Sequence, residues 1–270
     1  MFASFNQLWG GSGIDTADYS AMFAGIFVDL RAPAGHVDFG AGWKLNDLMN
    51  SVENAIGGSG NDILVGTDAD GNTLWGGGGM DLLFGFGGDD VLSGGAGGTG
   101  SYNQLWGDTG SDTATYQFAT TRVYADLNVV AGWVTNRSGV LVLNDTYNSI
   151  ENLVGGAVAD SLVGDALANV LTGGGGADLL YGGGGNDTFV YLAASDSNLT
   201  TGYDSIADFE AGGDRLDFRA FGIASGQVTI VAAGGFTTAI YANTDGIAGD
   251  DLALVATGTT ASITMADILF

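Results

Sequence analysis

The chain has 270 residues, of which 49 are glycine, one is proline and none is cysteine, and 6 basic residues against 31 acidic ones leave a net charge of −25. These figures exclude a collagen helix, which needs a strict triplet rich in proline, a disulfide-stapled or zinc-thiolate fold, which needs cysteine, and recognition of nucleic-acid phosphates, which needs a basic face. Disorder is disfavoured as well, because 46% of the residues are hydrophobic and can bury a core.

A compact body with this charge repels itself unless cations condense on it. Short Asp carboxylates and bare backbone carbonyls are the oxygen ligands that hard divalent ions such as calcium take. On charge alone, a solvated acidic surface explains as much.

In chain order, residues 6–19 (NQLWGGSGIDTADY) open a unit that recurs at 103–116 (NQLWGDTGSDTATY). An excursion follows each copy, at about 20–44 and 117–142, with the strand formers GIFVDL and RVYADL. These excursions are expected to run along the body and shield part of it. Residues 45–58 (LNDLMNSVENAIGG) then match 143–156 (LNDTYNSIENLVGG), one inserted residue out of step with the first match. Nine-residue segments of the form G-G-x-G-x-D-x-U-x come next, with U large and apolar: GGSGNDILV from Gly57, GGGGMDLLF from Gly76, GGGGADLLY from Gly173 and GGGGNDTFV from Gly182. Weaker copies are GFGGDDVLS from Gly85, GGAVADSLV from Gly155 and GDALANVLT from Gly164. The later starts fall at 155, 164, 173 and 182, a fixed step that marks a repeat architecture.

The chemistry of one repeat follows from its residues. Glycines let the backbone turn sharply through positive φ and aim carbonyls inward. Asp at the sixth position adds a carboxylate where the turn ends, and the x-U-x tail is a short strand that sends U inward. The inward set is Leu64, Leu74, Leu83, Leu92, Leu162, Leu171, Leu180 and Phe189. Two repeats make one coil. A single turn has too few oxygens for calcium's six to eight, so an ion belongs between successive turns on the same side, and its binding is coupled to folding. Trp9, Trp75 and Trp106 precede turn glycines and point outward by alternation; they are either covered by the excursions or free to stack on sugars or on a second copy.

These motifs resemble the RTX (repeats-in-toxin, hemolysin-type calcium-binding) repeats of secreted bacterial proteases, lipases, epimerases and surface proteins, which form parallel β-rolls. The resemblance implies one Ca2+ held by Gly58, Gly60 and Asp62 with Gly76, Gly78 and Asp81, and another held by Gly156, Val158 and Asp160 with Gly173, Gly175 and Asp178. On the opposite side, Gly85, Gly87 and Asp90 would face the irregular GTDADGN turn. Likewise Gly182, Gly184 and Asp187 would face GDALAN, a weaker site because Asn169 stands where Asp belongs. The partial turns with Asp15 and Asp112 remain open as metal sites. Residues 203–218 (YDSIADFEAGGDRLDF) are similar to the segment that follows RTX blocks in serralysin-like C-terminal modules, where Asp204 and Asp208 suit either a last calcium site or a cap. The terminal ADILF, with Asp267, resembles the uncleaved signal of type I secretion. No N-terminal leader and no apolar stretch long enough to span a membrane is read.

Catalytic signatures are missing. The single histidine, His36, has no H-E-x-x-H around it and is expected in a surface loop; no G-x-S-x-G occurs; and Lys44, the only lysine, has no evident partner. The repeats begin within the first fifteen residues, so no catalytic module is expected ahead of them. The expectation is an all-β chain, a right-handed calcium-binding β-solenoid of the parallel β-roll type. Its two blocks, 1–102 and 103–190, precede a β-rich capping and secretion region, 191–270. Its expected function is that of a secreted, extracellular, non-enzymatic protein that folds on calcium and serves at a cell surface or in a matrix, self-assembling into a layer or filament. The alternative is a carbohydrate-binding accessory module resembling those of alginate epimerases. Expected partners are calcium, the type I export machinery and either further copies or a surface glycan, with no nucleic acid and no membrane span.

Overall fold

Each x-U-x tripeptide lies in a short strand of three to six residues, and successive strands alternate between two parallel sheets. Ile63–Val65, Leu82–Gly87 and Gln104–Thr109 lie in one sheet, while Thr73–Trp75, Val91–Ser93 and Thr113–Thr115 lie in the other. The computed structural model describes residues 7–31, 36–39, 43–44, 48–95, 102–129, 133–135, 141–143, 145–200, 202–234, 237–246, 251–258 and 263–270. Among these residues there is no α-helix, only 3-10 turns such as Arg219–Phe221. No helix is long and apolar enough to cross a membrane. The architecture is an all-β parallel β-roll.

Contacts divide the chain into two compact units, one of residues 1–115 with 129–150 and one of 116–128 with 151–270. In the first unit the registers Val28↔Leu64, Leu83↔Leu64 and Leu83↔Leu105 stack one column of side chains, and Ala55↔Leu74, Leu92↔Leu74 and Leu92↔Ala114 stack another. All of these side chains are fully buried. Alternation along each strand sends them into the space between the sheets, where a buried Leu contributes about 1.5–3 kcal/mol of hydrophobic stabilisation.

In the second unit Ala125, Leu162, Leu180 and Ile206 form one column. Leu153, Leu171, Phe189, Leu216 and Ile268 form the other. Larger residues fill this core: Phe189 lies 6.0 Å from Phe209, and Tyr191 meets Phe218 edge-on at 5.7 Å between ring centres. The sheets continue past the last repeat. Asp204–Phe209 pairs with Leu252–Gly258, beyond which Thr237–Ala242 and Val228–Gly234 add antiparallel strands; Arg215–Asp217 pairs with the terminal Ile268–Leu269.

The excursions differ from expectation. Ile26–Asp29 pairs in parallel with Ile63–Val65, and Tyr124–Asp126 with Ser161–Val163. The strands Ile26–Asp29 and Tyr124–Asp126 are therefore rungs of the sheet, because their alternating Ile26/Val28 and Ala125/Leu127 sets match the ladder, whereas Trp133–Thr135 and Leu141–Leu143 pair only with each other among the described residues. His36 opens a strand, His36–Phe39, paired with Ile26–Asp29, where a loop was expected; its side chain and that of Lys44 lie outside the described residues, as do most of the two loops around them.

Candidate metal centre

The sixth-position residues form hydrogen-bonded ladders along the turns. In the first unit Ile26 N–H donates to Asp62 Oδ1 (2.9 Å), Asp62 N–H to Asp81 Oδ1 (2.8 Å), Asp81 N–H to Asn103 Oδ1 (2.8 Å) and Asn103 N–H to Asp145 Oδ1 (2.8 Å). On the opposite side Asn72 N–H donates to Asp90 Oδ1 (2.7 Å), and Asp90 N–H to Asp112 Oδ1 (2.8 Å). The second unit repeats the pattern. Val123 N–H donates to Asp160 (2.7 Å), Asp160 N–H to Asp178 (2.7 Å) and Asp178 N–H to Asp204 (2.8 Å); opposite, Asn169 N–H donates to Asp187 (2.9 Å) and Asp187 N–H to Asp214 (2.9 Å), always at Oδ1.

One carboxylate oxygen is thus fixed by the ladder and the other faces into the turn. Asp62 and Asp160 turn Oδ2 onto the Gly58 and Gly156 N–H groups, at 2.6 Å each. The Oδ2 atoms of Asp81, Asp90 and Asp178 are buried and meet no hydrogen-bond donor. The first glycine of each turn packs against this carboxylate: a Cβ would come within 2.3 Å of Oδ2 at Gly76, 2.0 Å at Gly85, 2.4 Å at Gly173 and 2.2 Å at Gly182. The remaining expected ligands lie in the same stacks. Gly78 N–H donates to the Gly58 carbonyl (2.8 Å), Gly175 N–H to that of Gly156 (2.9 Å), Gly87 N–H to that of Thr67 (3.2 Å) and Gly184 N–H to that of Asp165 (2.8 Å). A Cβ on Gly79 would strike the Gly60 carbonyl oxygen, and one on Gly176 the Val158 carbonyl carbon. The fold therefore brings each expected set of donors into one pair of neighbouring turns.

Burial pushes the carboxyls of Asp81, Asp90, Asp178 and Asp187 up to about 7, against the opposing ladder N–H and reinforced by neighbouring carboxylates such as Asp62, Asp112, Asp160 and Asp214. Asp204 is pushed up to about 8, again chiefly by burial. Asp62 and Asp160 are raised too, with two N–H groups opposing burial in each. Carboxylates that are buried, clustered and under-satisfied are costly as anions without a cation. Among the described residues no three Asp, Glu or His side chains converge on a point. A hard cation here would draw most of its oxygens from backbone carbonyls, each of which keeps a second lone pair after accepting its hydrogen bond. The donor set suits calcium.

Sequence reasoning passed over part of this network. Asn103, Asp145 and Asp214 are ladder rungs, but variable insertions separate them from their neighbours, so no period marked them; Asp204, singled out only through the resemblance, is a rung as well. Asp208 Oδ1 and Oδ2 accept the Gly182 and Gly183 N–H groups (2.9 and 3.0 Å), which caps that turn. Asp15 N–H donates to Glu53 Oε2 at 2.9 Å. Trp9 is 69% exposed, while Trp75 and Trp106 are half-buried.

The family model of the peptidase M10 serralysin C terminal matches residues 4–248. The chain belongs to that family. It is an RTX-type, calcium-binding β-roll of the kind found in the secreted C-terminal region of serralysins. Serralysin of Proteus mirabilis is 44% identical over 70 residues, a stretch covering 25% of this chain and 14% of that protein. The chain thus spans a small part of its curated relative. Among solved structures, the AlgE6R2 subunit of the Azotobacter vinelandii mannuronan C5-epimerase is 24% identical, covers 59% of this chain and 92% of its own, and has a TM-score of 0.39. The extracellular lipase LipA of Serratia marcescens is 15% identical over 80% of this chain and 39% of its own, with a TM-score of 0.30.

Proposed function

We propose that this chain is a non-catalytic, calcium-triggered folding module of an exported protein. Its ions would be held between same-side turns by Asp62 and Asp81, by Asp160 and Asp178, and, on the opposite sides, by Asp90 in the first unit and separately by Asp187 in the second, each with the glycine carbonyls around it. The single observation that carries this reading is the buried, donor-less Oδ2 of Asp81, Asp90 and Asp178. When bound, calcium supplies the positive charge that lets these carboxylates ionise in a buried stack. The chain fixes each carboxylate by its ladder N–H and brings the carbonyls into range through its glycines.

The C-terminus supports export before folding. Asp267 accepts the Gly212 N–H (2.8 Å), and Ile268–Leu269 is a strand of the roll. Asp267 and Ile268 are buried in the folded chain, so a secretion signal at this position would be more accessible while the chain is unfolded, which the low calcium of a cell interior favours. Outside, calcium would fold the two repeat blocks and the C-terminal region together. Circular dichroism of the chelated protein during a calcium titration tests this reading: a coil-to-β transition at saturating calcium is expected, and unchanged β-structure after exhaustive chelation overturns it.

For the folded protein we favour a role at a cell surface or in a matrix, through self-association. Among the described residues, Val228–Gly234 is bonded along one edge only, and Val231 on it is 45% exposed; such an edge can pair with another chain. Light scattering with and without calcium should then show polymers only in calcium. A glycan-binding role is favoured by a different observation: Phe84 lies 5.9 Å from Trp106 and Arg31 stacks 4.5 Å over Phe86. A monomer retarded on a polysaccharide affinity gel would support that role instead.

A further inference from the structure

Two turns, those of Asn72 and Asn169, carry in place of the acid an amide that closes on its own turn, and the structure treats both alike. In the first unit Asn72 Oδ1 accepts the Thr67 N–H (2.5 Å) and Asn72 Nδ2 donates to the Glu53 carbonyl (2.6 Å). In the second, Asn169 Oδ1 accepts the Asp165 N–H (2.8 Å) and Asn169 Nδ2 donates to the Glu151 carbonyl (2.8 Å). Each Asn N–H still donates to the next Asp of its ladder. The amide orientation is forced: turned over, it would set N–H against N–H and oxygen against oxygen. One rung earlier stands another Asn in both units, with Asn54 Oδ1 accepting the Thr73 N–H (2.7 Å) and Asn152 Oδ1 the Val170 N–H (3.2 Å).

An Asp in place of either residue would turn the Nδ2–carbonyl contact into a contact between two oxygens, which holds only with a cation between them. Asparagine supplies the positive end of that contact itself. The first glycine is retained in both turns because the amide needs the same space: a Cβ on Gly66 would lie 2.3 Å from Asn72 Oδ1, and one on Gly164 would lie 2.3 Å from Asn169 Oδ1. We propose that these two corners are metal-independent closures, in which the Asn72 and Asn169 amides stand in for a cation and hold one edge of each unit together before calcium binds. The proposal rests on the reading of the Asp turns as calcium sites. It gives each unit a preformed edge on which the ion-dependent turns stack.

Amide hydrogen exchange of the full chain, in chelator and in saturating calcium, tests it. In chelator the N–H groups of Thr67 and Thr73, and of Asp165 and Val170, should exchange at least about tenfold more slowly than those of Asp62, Asp81, Asp160 and Asp178. Calcium should then slow the second set. The isosteric pair Asn72→Asp and Asn169→Asp should erase the difference in chelator and regain protection in calcium, with more calcium bound per chain by titration calorimetry. Equally fast exchange at both kinds of turn in chelated wild-type protein overturns the proposal, as does unchanged chelator-state protection in the variants. Should calcium leave Asp81 and Asp178 exchange unaltered, the calcium reading itself fails and the proposal with it.

Discussion

The backbone N–H of Asp160 donates to Oδ1 of Asp178, 18 residues further along the chain, at 2.7 Å. This bond sets two carboxylates one above the other and leaves the Asp178 Oδ2 buried without a donor. The bond and the repulsion act on the same pair, so the stack is conditional on something that neutralises it.

Removing Asp178 should therefore remove a rung as well as a ligand. Asp178→Ala is expected to shift the midpoint of calcium-induced folding to severalfold higher calcium, while Asp245→Ala, at an exposed position outside every repeat turn, leaves it within error. Calcium titrations followed by circular dichroism make the comparison. Equal shifts would remove Asp178 from the ion site.

The raised carboxyls set the direction of the pH dependence. Asp81, Asp90, Asp178 and Asp187 are raised from 3.8 to about 7 in the folded, metal-free chain. Between those values the folded state binds more protons than the unfolded state, so the stability of the metal-free roll falls as pH rises through that window. In chelator, lowering the pH from 8 toward 5 should therefore shift the chain from coil toward the folded state, read as β-structure gained by circular dichroism. In saturating calcium, which holds the carboxylates ionised, this pH dependence should flatten. A chelated protein that gains stability as pH rises contradicts this.

How much of this was legible in the sequence depended on regular spacing. The nine-residue step fixed the pitch, and alternation fixed the side, so Leu64, Leu83, Leu162 and Leu180 could be placed in the core from spacing alone. The turn glycines and their Asp partners followed from the same period. Asp204 and Asp214 could not be placed in that way, because they stand 26 and 27 residues from the rungs they continue, against 18 between Asp160 and Asp178. Asp145 is 42 residues beyond Asn103. That Ile26–Asp29 and Tyr124–Asp126 are rungs was not legible, because their place is tied by a tertiary bond, Ile26 N–H to Asp62 Oδ1 in one unit and Val123 N–H to Asp160 Oδ1 in the other, which no local pattern announces.

The apolar columns can be tested apart from the ions. Leu180 is fully buried between Leu162 and Ile206 in its column. In calcium-saturated protein, Leu180→Ala should cost about 2–5 kcal/mol by urea unfolding, because lost burial and a residual cavity add together. Leu167→Ala, at a side chain 61% exposed, should stay within about 0.5 kcal/mol. Similar costs for the two would mean that the columns contribute little to the loaded state.

The first glycine of a turn separates steric need from backbone flexibility. Gly173 does not have positive φ, so an alanine there meets no backbone strain; its Cβ would instead lie 2.4 Å from Asp178 Oδ2. The carboxylate would have to swing out, losing the bond from the Asp160 N–H. Gly173→Ala is therefore expected to weaken calcium-induced folding about as much as Asp178→Ala, and the double variant should be little worse than either single one, since both act through the same carboxylate. Gly226→Ala is the matched control: its φ is ordinary, and a Cβ there has nothing within 4 Å. Fully additive effects of Gly173→Ala and Asp178→Ala would show that the glycine serves the turn and not the carboxylate.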